Sequence, residues 1–429
     1  MKRIMLSVFA AAVTAAWAVP ASATDVTFSG QYRVRGEYRN NVDYNDDAAD
    51  AVASMTQRVR LTANAEAAED TTVKITLQDT RTFGQAGDGA TTGTLTDSGS
   101  NNTVDLHEAY LNVDKIFGTP VNFRIGRQEL NYGDERLIGA FNWSNNGRAF
   151  DGVKFNYAQE GLNVDLFRMT LDDDAPDTDD VSNIDDITLT GVYATLGQII
   201  PNNTIDLYAI NKNGNDRDVL NFYTVGVRVK GAVAGLDYSL EVPYQFGEQR
   251  DTTNSVDMDL SAWALAAKVG YTIPGAPMNV RIGAEYDYAT GDDNTVAGND
   301  EIETFQSLYP TNHNHFGIGD VVNTWSDIQA WSVNVSADVT EKIRLYAAYW
   351  SYQEAEANGT DHGSTTGAGA DDDLGSEIDL VATYKYSNNV SLEVGAARFM
   401  PGDAISDGTT PAGLDDAQDW AYLQITANF

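Results

Sequence analysis

FRIGRQELNYGDERLIGAFNWSNNGRAFDGVKF, residues 123–155, decides how the rest of the chain is read. At its start Val121, Phe123 and Ile125 fall on one face of an alternating run, with Asn122, Arg124 and Gln128 on the other. Its end alternates in the same way, with Val153, Phe155 and Tyr157 as the apolar set. Between them lies a polar segment with Arg136, Trp143, Asn146 and Arg148. A period of two marks a strand whose two faces meet different surroundings. The stretch therefore reads as strand, guanidinium-bearing polar loop, strand.

Moving outward, the same unit recurs. Val26, Phe28, Gly30, Tyr32, Val34, Gly36 and Tyr38 alternate with Thr27, Ser29, Gln31, Arg33, Arg35, Glu37 and Arg39. Val59, Leu61, Ala63 and Ala65 then alternate with Arg58, Arg60, Asn64 and Glu66. Eighteen such strands run from 26–39 to 417–429, with sixteen as the alternative count. An even number is what a closed antiparallel barrel with both termini at one end requires. The connections alternate. Short ones are Ala68–Thr71, Asp114–Pro120, Ala158–Gly161, Leu196–Asn202, Gly231–Gly235, Thr272–Pro277, Val339–Glu341 and Ser387–Asn388. Long ones span 40–55, 80–103, 130–148, 172–185, 212–218, 248–258, 290–325, 355–375 and 400–416. Short periplasmic turns opposite long extracellular loops are the pattern of outer-membrane barrels, and a soluble sandwich has no reason to show it. The expected fold is thus all-β: a single transmembrane antiparallel barrel of about 18 strands.

Composition agrees. The 429 residues include 37 Gly, 21 Tyr, 15 Phe and 7 Trp but only 10 Pro, and no composition break divides them into domains. The absence of cysteine excludes disulfides and thiolate metal sites. A net charge of −36, from 63 acidic and 27 basic residues, argues against nucleic acid as a partner. Lys2 and Arg3 precede an apolar run from Ile4 to about Val19, and Ala21-Ser22-Ala23 supplies a cleavage site. Residues 1–23 therefore read as an export signal and 24–429 as the barrel. No later stretch approaches the roughly 20 apolar residues of a membrane helix, so any span is a strand. The chain closes on Leu423, Ile425, Ala427 and Phe429, an ending that resembles the signal read by outer-membrane assembly machinery.

Alternation turns a set of basic side chains inward: Arg33, Arg35, Arg58, Arg60, Lys74, Arg124, Arg228, Lys268, Arg281 and Arg344. Two readings stand side by side. The arginines form a cationic lining that attracts anionic or hydroxyl-rich solutes, or they pair with inward carboxylates such as Asp206, Glu241, Glu285, Asp287 and Asp379 and brace the wall. Arginine concentrates in the early strands and acid in the later ones, which suggests oppositely charged walls. Acidic clusters at Asp172–Asp174 with Asp177, Asp179 and Asp180, at Asp292, Asp293, Asp300, Glu301 and Glu303, at Asp371–Asp373 and at Asp415, Asp416 and Asp419 lack EF-hand spacing. They read as solvated loops, and no metal site is expected. Enzyme motifs are absent: there is no G-x-S-x-G or H-E-x-x-H, and the four histidines, His107, His313, His315 and His362, lie near loops or strand ends. His313 and His315 belong to FQSLYPTNHNHFGIGD, residues 305–320, expected to pack over the pore mouth.

The pattern GRQEL…YGD.RL…WSN.GR.FDG in the opening stretch, followed by F..LYPT.H...G..D at 305–320, resembles the bacterial alginate-export family of outer-membrane barrels. The resemblance covers essentially the whole chain after residue 23. It implies an eighteen-stranded outer-membrane channel, in a family whose founding member secretes a polyanionic polysaccharide through an arginine-rich pore. By motif it implies that Arg124, Arg127, Gln128, Glu129, Arg136, Trp143, Asn146, Arg148 and Asp151 shape or brace the constriction. Two features depart from an alginate exporter: every periplasmic turn is short, and the acidic loops would repel a polyanion arriving from outside.

The expectation is a porin-like channel in the outer membrane. It passes hydrophilic solutes, anionic ones or saccharides among them, through a lumen lined by Arg33, Arg35, Arg58, Arg60, Arg124, Arg127, Arg136, Arg148, Arg228, Arg281 and Arg344, without cofactor or covalent chemistry. The alternatives are a dedicated exopolysaccharide exporter and a plugged barrel acting as adhesin or scaffold. Small inward residues such as Gly126, Ser239, Ala264, Ala266, Gly283 and Ser332 are read as leaving the pore open. The partners expected are outer-membrane lipid, the solutes, and the assembly machinery through Phe429.

Overall fold

The computed structural model describes residues 25–46, 50–84, 104–172, 185–197, 199–215, 220–251, 256–293, 300–357, 371–408 and 414–429. The expected export signal at 1–23, His362 and most of the cluster following Asp172 lie outside the described residues. In chain order the strands are β1 (Val26–Asn40), β2 (Val52–Ala68), β3 (Thr71–Thr82), β4 (Asp105–Val113), β5 (Val121–Gln128), β6 (Phe150–Gln159), β7 (Leu162–Thr170), β8 (Asp185–Gly197), β9 (Asn203–Asn215) and β10 (Leu220–Val233). They continue as β11 (Leu236–Asp251), β12 (Val256–Thr272), β13 (Arg281–Ala289), β14 (Glu301–Ile302), β15 (Ile328–Asp338), β16 (Ile343–Gln353), β17 (Asp373–Lys385), β18 (Val390–Pro401) and β19 (Gln418–Asn428).

β14 is a two-residue segment lying parallel to Asp259 and Leu260 of β12. The other eighteen strands pair antiparallel in sequence order, with β13 passing directly to β15. β1 pairs with β19 from Gln31↔Asn428 to Asn40↔Asp419, which closes the barrel so that each of these eighteen strands has a neighbour on both sides. The start of β1 and the end of β19 lie at the end that carries the short turns. That end is the periplasmic one in a barrel of this kind.

Burial is inverted relative to a water-soluble protein. Phe28 is 69% exposed and Leu380 55%, whereas Arg33 is 4% exposed and Arg58 3%. Apolar side chains face out because lipid surrounds the wall, and the polar set faces in because the lumen is where its hydrogen bonds can be met. Exposed aromatics gather at two heights. Tyr223, Phe246, Trp263 and Trp331 lie toward the long-loop end, and Phe28, Tyr271, Tyr386 and Phe429 toward the short-turn end. These are the positions of interfacial girdles.

Two expected long loops are shorter than the sequence suggested. β9 runs on to Asn215 and β10 begins at Leu220, while β11 reaches Asp251 and β12 begins at Val256. Both hairpins are tall, because polar residues such as Asn213 and Glu248 keep the alternation and the ladder beyond the apolar band.

The packed interior is inside the barrel. Ala262, Ala264, Ala266, Ala289 and Ala330 share a buried cluster with Phe305, Trp325 and Ile328. Ala264, Ala266 and Ser332 therefore do not mark open space, whereas Ser239 lines a cavity. On β12, β13 and β15 they are small because large side chains of the 290–327 connection fill the room beside them, at the close packing typical of protein interiors.

Candidate functional site: two loops that meet in the lumen

After Gln128, which is fully buried, the chain turns into the barrel instead of over its rim. Leu130, Ile138 and Ala140 are buried there. The segment 129–149 folds on itself, with Tyr132 N donating to the Ile138 carbonyl at 3.1 Å and Arg148 N to the Ala140 carbonyl at 2.6 Å. Its tip presents carbonyl oxygens to the β1–β2 wall. Arg33 donates to the carbonyls of Asn142 at 2.8 Å and Ser144 at 2.9 Å, and to Asn145 Oδ1 at 2.8 Å. Arg58 reaches the same two carbonyls at 3.0 and 2.9 Å. Arg35 donates to the Trp143 carbonyl at 2.9 Å and lies 4.0 Å over its ring. Arg60 bonds Asn142 Oδ1 at 2.6 Å and Glu129 at 3.3 Å. Gly147, at φ +67°, allows the close approach: a Cβ there would run into the Arg60 guanidinium and His107.

The second loop, in the connection between β13 and β15, meets the first. Gly139 N donates to the Tyr309 carbonyl at 2.8 Å and Tyr309 N to Leu137 at 2.7 Å, a single parallel bridge, and Thr311 N donates to the Glu135 carbonyl at 2.9 Å. Arg148 adds bonds from its Nη1 to the carbonyls of Tyr309 at 2.5 Å and Pro310 at 2.9 Å. His313 stacks on Trp143 with ring centroids 3.6 Å apart and pairs with Asp320 at 2.9 Å. Trp325 anchors the far side of the loop, its Nε1 donating to the Tyr288 carbonyl at 3.1 Å.

Charges fasten the pair to the remaining wall. Arg136 is buried against Glu285 and Asp287, the latter at 2.9 Å. Burial works to lower its pKa, but the Asp287 and Glu285 carboxylates outweigh that and hold it above the ordinary value. Arg228 pairs with Asp134 of the loop and with Asp206 at 2.9 Å. Burial would raise the Asp134 carboxyl, yet Arg228 keeps it below the usual range. His315 has its Nε2 3.0 Å from the Asp134 carbonyl, which can only accept, so Nε2 carries the proton. Its Nδ1 has no partner among the described residues. Burial, followed by Arg136 and Lys268, holds this imidazole well below its ordinary pKa and hence neutral.

Of the arginines expected to line a pore, Arg33, Arg35, Arg58, Arg60, Arg136, Arg148 and Arg228 are thus tied to the loops. Arg281 pairs with Asp237 at 2.6 Å and Arg344 with Asp338 at 3.5 Å, both toward the short-turn end. Arg127 does not face the lumen. It shares the outward parity of Ile125 and pairs at 2.7 Å with Asp151 on the outer face; the motif suggested a pore role that the alternation of β5 forbids. Arg124 does face inward, but among the described residues it bonds only Asn112, and it lies 4.2 Å over Tyr110. Sequence reasoning missed the wall around it, where Asn112, Asn122, Asn156, Asn163 and Asp165 line a cavity of about 280 Å³ with Arg124 and Lys154. The signal was available: alternation on β4–β7 turns every one of these amides inward. A second cavity of about 430 Å³ lies beneath the loops, bounded by Asp134, Lys230, Asp237, Lys268, Arg281 and His315. Among the described acidic residues, Asp292, Asp293 and Glu303 bring carboxylate oxygens within 4.8 Å of one another.

The sequence model of the alginate export family matches residues 24–415. No curated protein matches the chain. Among solved structures it is similar to Pseudomonas aeruginosa OccK9 (OpdG), at 14% identity and a TM-score of 0.64, over 94% of this chain and 98% of that one. It is also similar to Acinetobacter baumannii OccAB2, at 12% identity and 0.61, with the same coverages. P. aeruginosa OpdK, solved with vanillate, stands at 11% and 0.61, again over 94% and 98%.

Proposed function

This chain belongs to the alginate-export family, and from that premise we propose that it is a passive outer-membrane channel for small hydrophilic solutes, carboxylated ones and saccharides among them. The observation that carries the reading is a closed eighteen-strand barrel narrowed by two braced loops, with polar cavities of about 430 and 280 Å³ below them. The protein is an integral outer-membrane barrel whose wall meets lipid. Residues 1–23 serve as its export signal, and Phe429 as the feature that assembly machinery recognises. No step of passage calls for covalent chemistry: polar groups replace part of a solute's hydration and then release it. Arg33, Arg35, Arg58, Arg60, Arg136, Arg148 and Arg228 set the constriction by holding the loops, while Arg124, Arg281 and Arg344 face the periplasmic vestibule.

The test is conductance of the refolded chain, without residues 1–23, in a planar bilayer under a salt gradient. A stable open conductance with a reversal potential displaced toward the anion supports the reading. Cation bias removes its anionic part. No conductance overturns it and favours the second reading, an exopolysaccharide exporter opened by a periplasmic partner, which draws on the family and on the loop pair across the lumen.

A further inference from the structure

Most basic side chains of the periplasmic vestibule are matched with acid: Lys154 with Asp165 at 3.0 Å, Lys268 with Glu285 at 3.0 Å, Arg281 with Asp237 at 2.6 Å. Arg124 is different. Its Nε donates to Asn112 Oδ1 at 3.3 Å and its guanidinium carbon lies 4.2 Å from the Tyr110 ring centroid, so the group is held from two sides. Both Nη atoms are without a protein partner among the described residues. They face the 280 Å³ cavity between β4 and β7.

The rest of that cavity is amide. Asn122 Nδ2 donates to Asn156 Oδ1 at 3.3 Å, and Asn156 Nδ2 donates to Asn163 Oδ1 at 2.7 Å. The chain of amides leaves Asn163 Nδ2 without a protein acceptor among the described residues. Asp165 is committed to Lys154, Asn156 and Tyr132, and Asp114 accepts from Asn112 at the cavity's periplasmic edge. What remains on offer is a guanidinium with both Nη atoms unspent at one end and amide groups along the wall. A fork of parallel N–H groups matches a carboxylate bidentately. An amide both donates and accepts, which is what a hydroxyl requires.

We propose that this cleft is a binding subsite for small hydroxylated monocarboxylates, with Arg124 taking the carboxylate and the amides of Asn122 and Asn163, oriented by Asn156 between them, taking hydroxyls. It rests on the channel reading for its role in transport, and narrows the solute class. Acid and base balance around the cleft, so binding is weak, as a site that must release its solute requires.

The test is calorimetric titration of sodium gluconate into the refolded chain in detergent, with sodium acetate and glucose as probes that keep only the carboxylate or only the hydroxyls. Gluconate should bind about tenfold or more tightly than either. Arg124→Gln should weaken gluconate and acetate alike, by about tenfold for gluconate, because a charged hydrogen-bonding pair is lost. Asn163→Ala should weaken gluconate severalfold and leave acetate unchanged. Equal affinity for gluconate and acetate, or unchanged gluconate affinity in Arg124→Gln, overturns the subsite. Conductance recorded in parallel separates the two readings: an open channel that ignores gluconate loses the subsite alone, and a barrel that binds gluconate without conducting loses the channel alone.

Discussion

Two guanidiniums, Arg33 and Arg58, hold the same pair of loop carbonyls, and removing them should lift the loop in a strongly non-additive way. The two arginines are direct cross-strand partners in the β1–β2 register, so they repel each other, and the Asn142 and Ser144 carbonyls are what offset that repulsion. A hydrogen bond to a charged group contributes about 1.5–3 kcal/mol. In Arg58→Gln, Arg33 still serves both carbonyls and is relieved of a like charge, so loop docking should lose only about 1.5 kcal/mol, the low end of that range. In the double variant Arg33→Gln/Arg58→Gln no guanidinium is left to serve either carbonyl, and the loss should reach about 4 kcal/mol, more than twice the single value. The chain has no cysteine, so Ala140→Cys gives a clean reporter at a position that is fully buried between the loops. Its maleimide labelling rate follows the open fraction, and 1.4 kcal/mol is a factor of ten. The single variant should therefore label about tenfold faster and the double about a thousandfold faster. A double variant that labels at the parent rate would refute the bracing role of both residues.

The Arg136 anchor should be at least as strong. Arg136→Ala leaves Glu285 and Asp287 buried with one cation fewer, and should cost about 3–5 kcal/mol of docking; labelling of the same reporter no faster than in the parent would disprove this. His315 predicts a pH dependence of docking. Its docked pKa is depressed, so below about pH 6.5 the released loop binds a proton that the docked one refuses. Docking then weakens as pH falls, by up to about 1.4 kcal/mol per unit, and is insensitive to this group above that value. Once divided by the labelling rate of the denatured chain at each pH, which removes the ionisation of the thiol itself, the profile should flatten in His315→Gln between about pH 6.5 and 5; a corrected slope equal to the parent's would rule His315 out as its source.

The barrel was legible because alternation is a local property of the chain. Each strand carries its own inside and outside, and the eighteen expected strands from 26–39 to 417–429 correspond to those observed. Loop lengths were less legible where polar residues continue the ladder, as in β9–β10 and β11–β12, since hydropathy fades there while backbone pairing does not. The inward path of 129–149 could not be read at all. It depends on contacts across 84 to 111 positions of sequence separation, such as Arg58 with Asn142 and Arg33 with Ser144. Half of each contact is a backbone carbonyl, which has no signature in residue type. For the same reason the small residues Ala264 and Ala266 were misleading: smallness marks space, but the sequence does not say whether solvent or Trp325 occupies it.

The alternative between lining and bracing arginines also dissolves once the partners are known. Arg136, Arg228 and Arg281 meet carboxylates, which cancel their charge as well as satisfy their hydrogens. Arg33 and Arg58 meet mainly carbonyls. A carbonyl dipole satisfies the N–H groups at short range but leaves the unit charge in place at long range. These two residues therefore brace the loop with their hydrogen bonds and still present a positive field to a passing solute with their charge. Arg127 does neither, because it lies on the other side of the wall. Counting arginines along a motif thus overstates the positive lumen, whereas sorting them by parity and by the charge of the partner gives it a location: the β1–β2 wall, facing the loop tip.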